Sequence, residues 1–330
     1  LITRPRRFGK TLNMSMLNCF FSNQYAGRGD LFEGMSVWED EEYRKLQGTY
    51  PVIFLSFADV KQNNYIDAVA KVKNIIIDVY AQYEKLYLGD GMSPLQKQQY
   101  YSVNSEMSDV TAQDSLKMLA SHLSNYYGKN VIILLDEYDT PMQEAYIHGY
   151  WDEFTSFLRS MFNSTFKTNP YLERAVMTGI TRVSKESMFS DLNNLNVVTT
   201  TSEEYSTSFG FTEDEVFSSL DKFGLPDRKE QVKQWYDGFT FGSQNDIYNP
   251  WSIINYLDKK QLKPYWAATS SNGLVSKLLQ TASSDMKLHM EELLRGDSIV
   301  VNFDEQIVFA QLDMDESAVW SLLVAGGYLK

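Results

Sequence analysis

The amino-acid sequence predicts an α/β protein: a parallel sheet with helices on both faces, followed by a mostly helical region. Three observations lead there. Two short apolar runs, residues 52–57 and 131–135, are nearly continuous in Val, Ile, Leu and Phe, as strands buried on both faces are. Stretches of helical periodicity separate the strand-like segments, and strands alternating with helices imply right-handed crossovers between parallel neighbours. After about Tyr205 the strand-like runs stop and helical patterns take over.

Taken in order, residues 11–21 put Leu12, Met16, Leu17, Phe20 and Phe21 on one helical face, directly after Gly9-Lys10-Thr11. Leu1 and Ile2 are apolar and run straight into that turn, so the chain is expected to open inside a strand whose first part is missing. After a polar, glycine-marked stretch, Pro51 opens the first complete strand. Helical patterns over residues 66–86 and 108–126 flank residues 89–105, whose Gly, Pro, Gln and Ser content reads as loop. The strand over 131–135 stops at Asp136-Glu137. Trp151, Phe154, Leu158, Met161 and Phe162 recur at helical spacing, residues 174–178 form a third strand ended by Gly179, and residues 196–200 a fourth. Beyond the change of pattern, Thr212-Glu213-Asp214-Glu215 marks a helix start with an acidic first turn. Trp235 to Phe239 marks a helix end and turn, and Tyr248-Asn249-Pro250-Trp251-Ser252 leads into a helix bearing Ile253, Ile254 and Leu257. The boundary falls near residue 205, dividing the chain into 1–205 and 206–330.

Composition limits the function classes. A chain of 330 residues, 43% hydrophobic, is long enough for about two globular domains. Its 30 Lys and Arg against 43 Asp and Glu leave a net charge of −13, the wrong sign for coating a nucleic-acid backbone or an anionic membrane. No apolar run approaches the roughly 20 residues that span a bilayer. Cys19 is the single cysteine, so no internal disulfide forms and a reducing cytoplasmic setting is expected; flanked by Leu17, Phe20 and Phe21, it reads as core. His122, His148 and His289 are scattered without the spacing of metal ligands, so zinc is not expected.

The chemistry is concentrated in three places. A phosphate-binding loop needs successive backbone N–H groups curled round an anion, a helix N-terminus behind them, a Lys for the terminal phosphates and a hydroxyl for magnesium. Gly9, Lys10 and Thr11, followed by a helix, meet that need, although the usual pattern has a further glycine five residues before Gly9, where Arg4 stands. The apolar strand ending in Asp136-Glu137 has the form of a Walker B strand, its Asp orienting magnesium and its Glu activating water. The competing reading is an acidic pair capping the next helix. Asp139, Thr140 and Pro141 supply a better start, with Thr140 as N-cap and Pro141 first in the helix. The extra strand between the two motifs, and the Glu after the Asp, point to the additional-strand class of ATPases. Third, the strand ending in Thr178-Gly179-Ile180-Thr181-Arg182 brings Thr178, Thr181 and Arg182 to the sheet edge where a γ-phosphate would lie, Arg182 serving as sensor or finger or else pairing with Glu186. Arg4, Arg6 and Arg7 form the one dense basic cluster; they contact phosphate, pair with acids to support the loop, or touch nucleic acid. Tyr236, Phe239, Phe241, Tyr248 and Trp251 read as core and turn packing rather than a base-stacking platform, because no basic residue interleaves them.

Together, Ile2 to Leu17, the run from Val131 through Asp139, Thr178 to Leu195, Trp235 to Gly242 and Tyr248 to Ile253 resemble the AAA-ATPase-like family of bacterial and archaeal P-loop proteins. In that family Arg-Pro-Arg-Arg-Phe-Gly-Lys is the habitual phosphate loop, so Arg4 in place of glycine is a family trait. The resemblance implies a P-loop NTPase sheet followed by a winged-helix-like domain. It also implies that Lys10 and Thr11 bind phosphate and magnesium and that Asp136 and Glu137 form the Walker B pair. With the residue readings above, the expected ligands are ATP and Mg²⁺: Arg6, Arg7, Phe8, Gly9, Lys10, Thr11, Leu12 and Thr178 are expected to bind the nucleotide, Thr11 and Asp136 the metal, and Glu137, Lys10 and Arg182 to act in catalysis. Members are often followed by a PD-(D/E)XK nuclease-like domain; no such motif pair stands in this sequence. The expected function is an ATPase whose hydrolysis switches the docking of its second domain or of an attached effector. The alternative is a nucleotide-stabilised interaction module that does not hydrolyse ATP.

Overall fold

The computed structural model describes residues 1–182, 192, 194–266, 273–304, 309, 312 and 315–329. Its parallel sheet runs in the order β1-β4-β3-β2, with β1 at Ile2–Thr3, β2 at Val52–Ser56, β3 at Val131–Asp136 and β4 at Leu172–Gly179. Every residue of β3 is buried, which is why its sequence is a continuous apolar run and not an alternating one. Val52 pairs with Ile132 and Ser56 with Asp136, while Ile132 to Leu135 pair with Arg174 to Met177 of β4. Asp136 therefore sits at the carboxyl end of an inner strand, the end at which open α/β sheets bind ligands.

Helix α1 (Lys10–Phe21) lays Met14, Leu17 and Phe21 on one face of the sheet, over Val52, Phe54, Ile132, Leu134 and Val176. The pleat turns Ile133 and Leu135 to the other face. Two single-turn helices, α2 (Ser36–Glu39) and α3 (Glu41–Arg44), precede β2. Between β2 and β3 lie α4 (Tyr65–Ala81), which packs on β2, then α5 (Glu84–Leu88), α6 (Pro94–Tyr101) and α7 (Asp109–Tyr127), which packs on β3. The helical pattern expected over 66–86 is thus two helices, and α6 stands where a loop was expected. Ser93 and Gln96 cap α6 reciprocally and Pro94 opens it, a local signal that outweighs its polar composition. Helices α8 (Thr140–His148) and α9 (Trp151–Phe162) join β3 to β4. Thr140 is inside α8 and not its N-cap; Asp139 holds that place without a side-chain cap bond.

The later part of the chain is not purely helical. β5 (Phe211–Thr212), β6 (Phe239–Phe241) and β7 (Gln244–Tyr248) form an antiparallel sheet in the order β5-β7-β6. The helices here are α10 (Glu213–Lys222), α11 (Lys229–Tyr236), α12 (Pro250–Lys259), α13 (Gly273–Thr281), α14 (Ser284–Arg295) and α15 (Glu316–Ala325). The expected helix start at Thr212 is present, with Thr212 and Glu215 forming a capping box. Val216, Leu220, Val232, Tyr236, Tyr248, Ile253 and Tyr256 build the core of this region. Of the fourth strand expected over 196–200, the structure contains a single bridge, Val198 to Ile2.

By packing, the chain divides into two compact units. One is built on Thr11–Thr178; the other gathers Leu1–Lys10 with the described residues from Asn196 onward. No helix among the described residues is long and apolar enough to cross a membrane.

Candidate functional site

The loop after β1 belongs to the second of these units. The Arg4 N–H donates to the Gly179 carbonyl at the end of β4, and the Thr3 N–H to the Val198 carbonyl. Arg7 (φ 67°) and Gly9 (φ 80°) both take left-handed backbone conformations on either side of Phe8. Such alternation turns consecutive N–H groups toward one point, a concave donor surface suited to an anion; glycine adopts it freely and arginine does so at a cost. Lys10 opens α1 with its ammonium buried, its Nζ donating to the carbonyls of Arg4 (3.0 Å) and Pro5 (3.1 Å). A phosphate oxygen offers that ammonium a stronger, charge-assisted partner than either neutral carbonyl.

Arg4 does something the sequence did not reveal. Its side chain is fully buried and donates to the carbonyls of Thr3 (2.9 Å), Thr199, Glu204 (3.3 Å) and Tyr205 (3.2 Å). The guanidinium also lies 4.7 Å over the Phe241 ring and 5.6 Å from that of Phe209. Burial lowers its pKa to about 10, so it remains charged at neutral pH. In the glycine position of the loop pattern stands an anchor that gathers backbone carbonyls. Arg6 is half-buried, and Arg7 is exposed with its guanidinium 5.2 Å from the Trp251 ring. The Phe8 side chain is in the core, packed edge-on against Phe239 (4.7 Å) and Phe241 (5.3 Å), so Phe8 brings only backbone to the loop. Tyr236, Phe241 and Tyr248 are buried core, as expected, whereas Trp251 is 40% exposed.

In the unit built on Thr11–Thr178, three side chains meet at the end of β3. Asp136, 1% exposed, accepts from the Thr11 hydroxyl at 2.7 Å and from the Thr178 hydroxyl at 2.5 Å, one on each carboxylate oxygen. A buried carboxylate is tolerable only when its oxygens are so occupied. Glu137, next in sequence, is half-buried with a left-handed backbone (φ 53°), and its carboxylate accepts from the Thr140 hydroxyl at 3.2 Å. This is the task Thr140 has instead of capping α8. Leu12 is 65% exposed, Thr181 buried and Arg182 half-buried; Glu186, the suggested partner of Arg182, lies outside the described residues. Among the described residues no group of three or more His, Cys, Asp or Glu is placed to hold a metal. The hydroxyl and carboxylate of Thr11 and Asp136 fit a hard cation that takes one or two protein oxygens and draws the rest of its shell from phosphate and water, as Mg²⁺ does.

A glycine-lysine-threonine turn opening a helix, and a threonine hydroxyl on the carboxylate that closes an inner parallel strand, are the features of a nucleotide-binding α/β protein. The chain belongs to the AAA-ATPase-like family, described as predicted AAA-ATPase, which it matches over residues 1–189. It is also similar to a protein of Azotobacter chroococcum mcd 1 described as an uncharacterized protein in the vnfD 5′ region, with 24% identity over 307 residues. That match covers 92% of this chain and 53% of the relative, so the chain spans about half the length of the curated protein it matches. No solved structure matches the chain.

Proposed function

We propose that this chain is a Mg-ATP-binding ATPase module. The observation that carries the reading is the meeting of Thr11 with Asp136 at 2.7 Å: the hydroxyl that ends the glycine-lysine-threonine turn and the carboxylate that ends the apolar strand come together although 125 residues separate them. Lys10 and the loop backbone from Arg6 to Leu12 bind the phosphates, Thr11 and Asp136 hold Mg²⁺, and Thr178 holds Asp136 in place. The metal supplies charge neutralisation of the phosphate oxygens. Glu137 accepts the proton of the attacking water, and Arg182 faces the charge that develops on the transferred phosphoryl group. For Glu137 to act, its carboxylate leaves the Thr140 hydroxyl. The region from about residue 206 is read as winged-helix-like, supported by the β6–β7 hairpin beside α10, α11 and α12. Hydrolysis changes how that region, or an attached effector, docks, in a cytoplasmic setting.

The test is calorimetric titration of Mg-ATP into the purified chain, followed by single-turnover hydrolysis. Lys10→Ala is expected to abolish binding, and unchanged affinity would sink the site. Glu137→Gln is expected to bind ATP normally and lose turnover. If the parent protein binds ATP without hydrolysing it, the non-hydrolysing interaction module replaces the ATPase.

A further inference from the structure

The Arg6 carbonyl accepts two side-chain hydrogen bonds, from Asn249 Nδ2 at 3.2 Å and from Trp266 Nε1 at 3.1 Å. We propose that Asn249 and Trp266 are positioning residues of the phosphate loop, holding the peptide between Arg6 and Arg7 so that its N–H is presented to the bound anion; this rests on the nucleotide-binding reading above.

A loop that binds an anion must turn its N–H groups inward and keep its carbonyl lone pairs away from negative charge. The three successive carbonyls of Arg4, Pro5 and Arg6 all receive donors, but from different sources. Those of Arg4 and Pro5 are held by Lys10 Nζ, which a phosphate would draw away. The Arg6 carbonyl is held by side chains that have no part in binding the ligand, so its orientation persists when Lys10 turns. In a planar trans peptide the C=O and N–H point in opposite directions. Fixing the Arg6 carbonyl on Asn249 and Trp266 therefore aims the Arg7 N–H the other way, into the loop, and the left-handed Arg7 (φ 67°) begins the turn from there.

The donors are themselves held. Asn249, 2% exposed, is the N-cap of α12, and its Oδ1 accepts from the Ser252 N–H at 3.1 Å, which leaves the amide NH₂ directed at Arg6. The Trp266 ring packs edge-on against Tyr328 at 5.4 Å. Beside Tyr328, Gly327 (φ 79°) has no room for a side chain, since a Cβ there would lie 3.0 Å from that of Pro5 and 2.8 Å from the Phe239 ring. By reciprocity, whatever favours the loop's binding geometry through α12 is favoured in turn by the ligand.

The experiment uses the full chain with Asn249→Ser, Trp266→Phe and the double variant. Serine still caps α12 but is too short to reach Arg6, and phenylalanine keeps an aromatic ring but has no N–H. Affinities for Mg-ATP and for inorganic tripolyphosphate are measured by calorimetry, and amide exchange over residues 5–10 is measured without ligand. Each single variant is expected to weaken both ligands by about 2- to 12-fold, the range of one net hydrogen bond, and to speed loop exchange while the α12 amides stay protected. Parent-like affinity in both single variants, with α12 intact, overturns the proposal. If the parent protein binds neither ligand, the nucleotide reading itself has failed; unchanged loop exchange in the variants then overturns the bracing as well.

Discussion

Restoring the missing glycine of the phosphate loop, by Arg4→Gly, is expected to damage this protein. By pattern the substitution perfects the loop; in the structure it removes an anchor. The lost guanidinium leaves the carbonyls of Thr3, Thr199, Glu204 and Tyr205 without that donor, opens a cavity the size of its side chain and ends its contact with the Phe241 face. Hydrogen bonds from charged donors contribute about 1.5–3 kcal/mol each when well formed, and a buried cation–π contact about 1–2 kcal/mol. Two of the four bonds, to Glu204 and Tyr205, are long at 3.3 and 3.2 Å and belong at the low end. Against these stands the desolvation of the guanidinium, whose pKa falls from 12.5 to about 10, an offset of about 3 kcal/mol. The net expectation is a loss of about 4–8 kcal/mol, a large share of the 5–15 kcal/mol typical of a folded domain. Urea titration followed by tryptophan fluorescence measures it, with far-UV circular dichroism reporting whether the two units unfold together. Arg4→Lys keeps the charge but not the planar fork, and is expected to lose about half as much. A loss below about 1 kcal/mol for Arg4→Gly would refute the anchoring role.

Thr178→Val keeps the β4 side-chain shape and removes the 2.5 Å bond to Asp136; stability is expected to fall by about 1–2 kcal/mol. Mg²⁺-dependent ATP affinity should weaken at the same time, and a calorimetric titration matching the parent would show that Thr178 does not hold the carboxylate. His122 is buried, its Nε2–H donating to Gln99 Oε1 and its Nδ1 accepting from the Tyr87 hydroxyl, both at 2.9 Å, and burial lowers its pKa from 6.5 to about 4. The unfolded chain takes up this proton first, so the contribution is fully present above pH 6.5 and is lost as the pH falls toward 4, by at most about 3 kcal/mol. The stability difference between the parent and His122→Leu should therefore shrink over that interval in urea titrations at stepped pH, whereas a constant difference would rule the titration out.

The elements legible in the sequence are those with local causes. β3 was readable because burial on both faces demands an unbroken apolar run, and Asp136 stood out as the polar residue closing it. The start of α10 was readable from its capping residues, and α1 was readable as a helix but not in its buried face: Leu12 and Met16, expected on that face, are exposed, and Met14 packs on the sheet instead. Helix α6 has its local signal in the cap that Ser93, Pro94 and Gln96 spell, while its polar composition is that of a loop. The β5-β7-β6 sheet has no such local signal. Its strands are two to five residues long, and Gln244–Tyr248 carries polar residues at its start, so pairing with distant partners, not local pattern, makes it a strand.

What the sequence by itself determined is the chemistry available: a glycine-lysine-threonine turn before a helix, a carboxylate pair after a buried strand, and hydroxyls following the next one. Each is specified within a few residues, and short-range sterics and hydrophobic periodicity suffice to place it on its element. Only the tertiary structure decided which partners those groups take. That Arg4 anchors carbonyls some 200 residues away, that Thr11 and Thr178 share Asp136, and that Asn249 and Trp266 converge on Arg6 are outcomes of chain packing. A buried polar group must find a partner wherever the fold brings one, and no local pattern records where that will be.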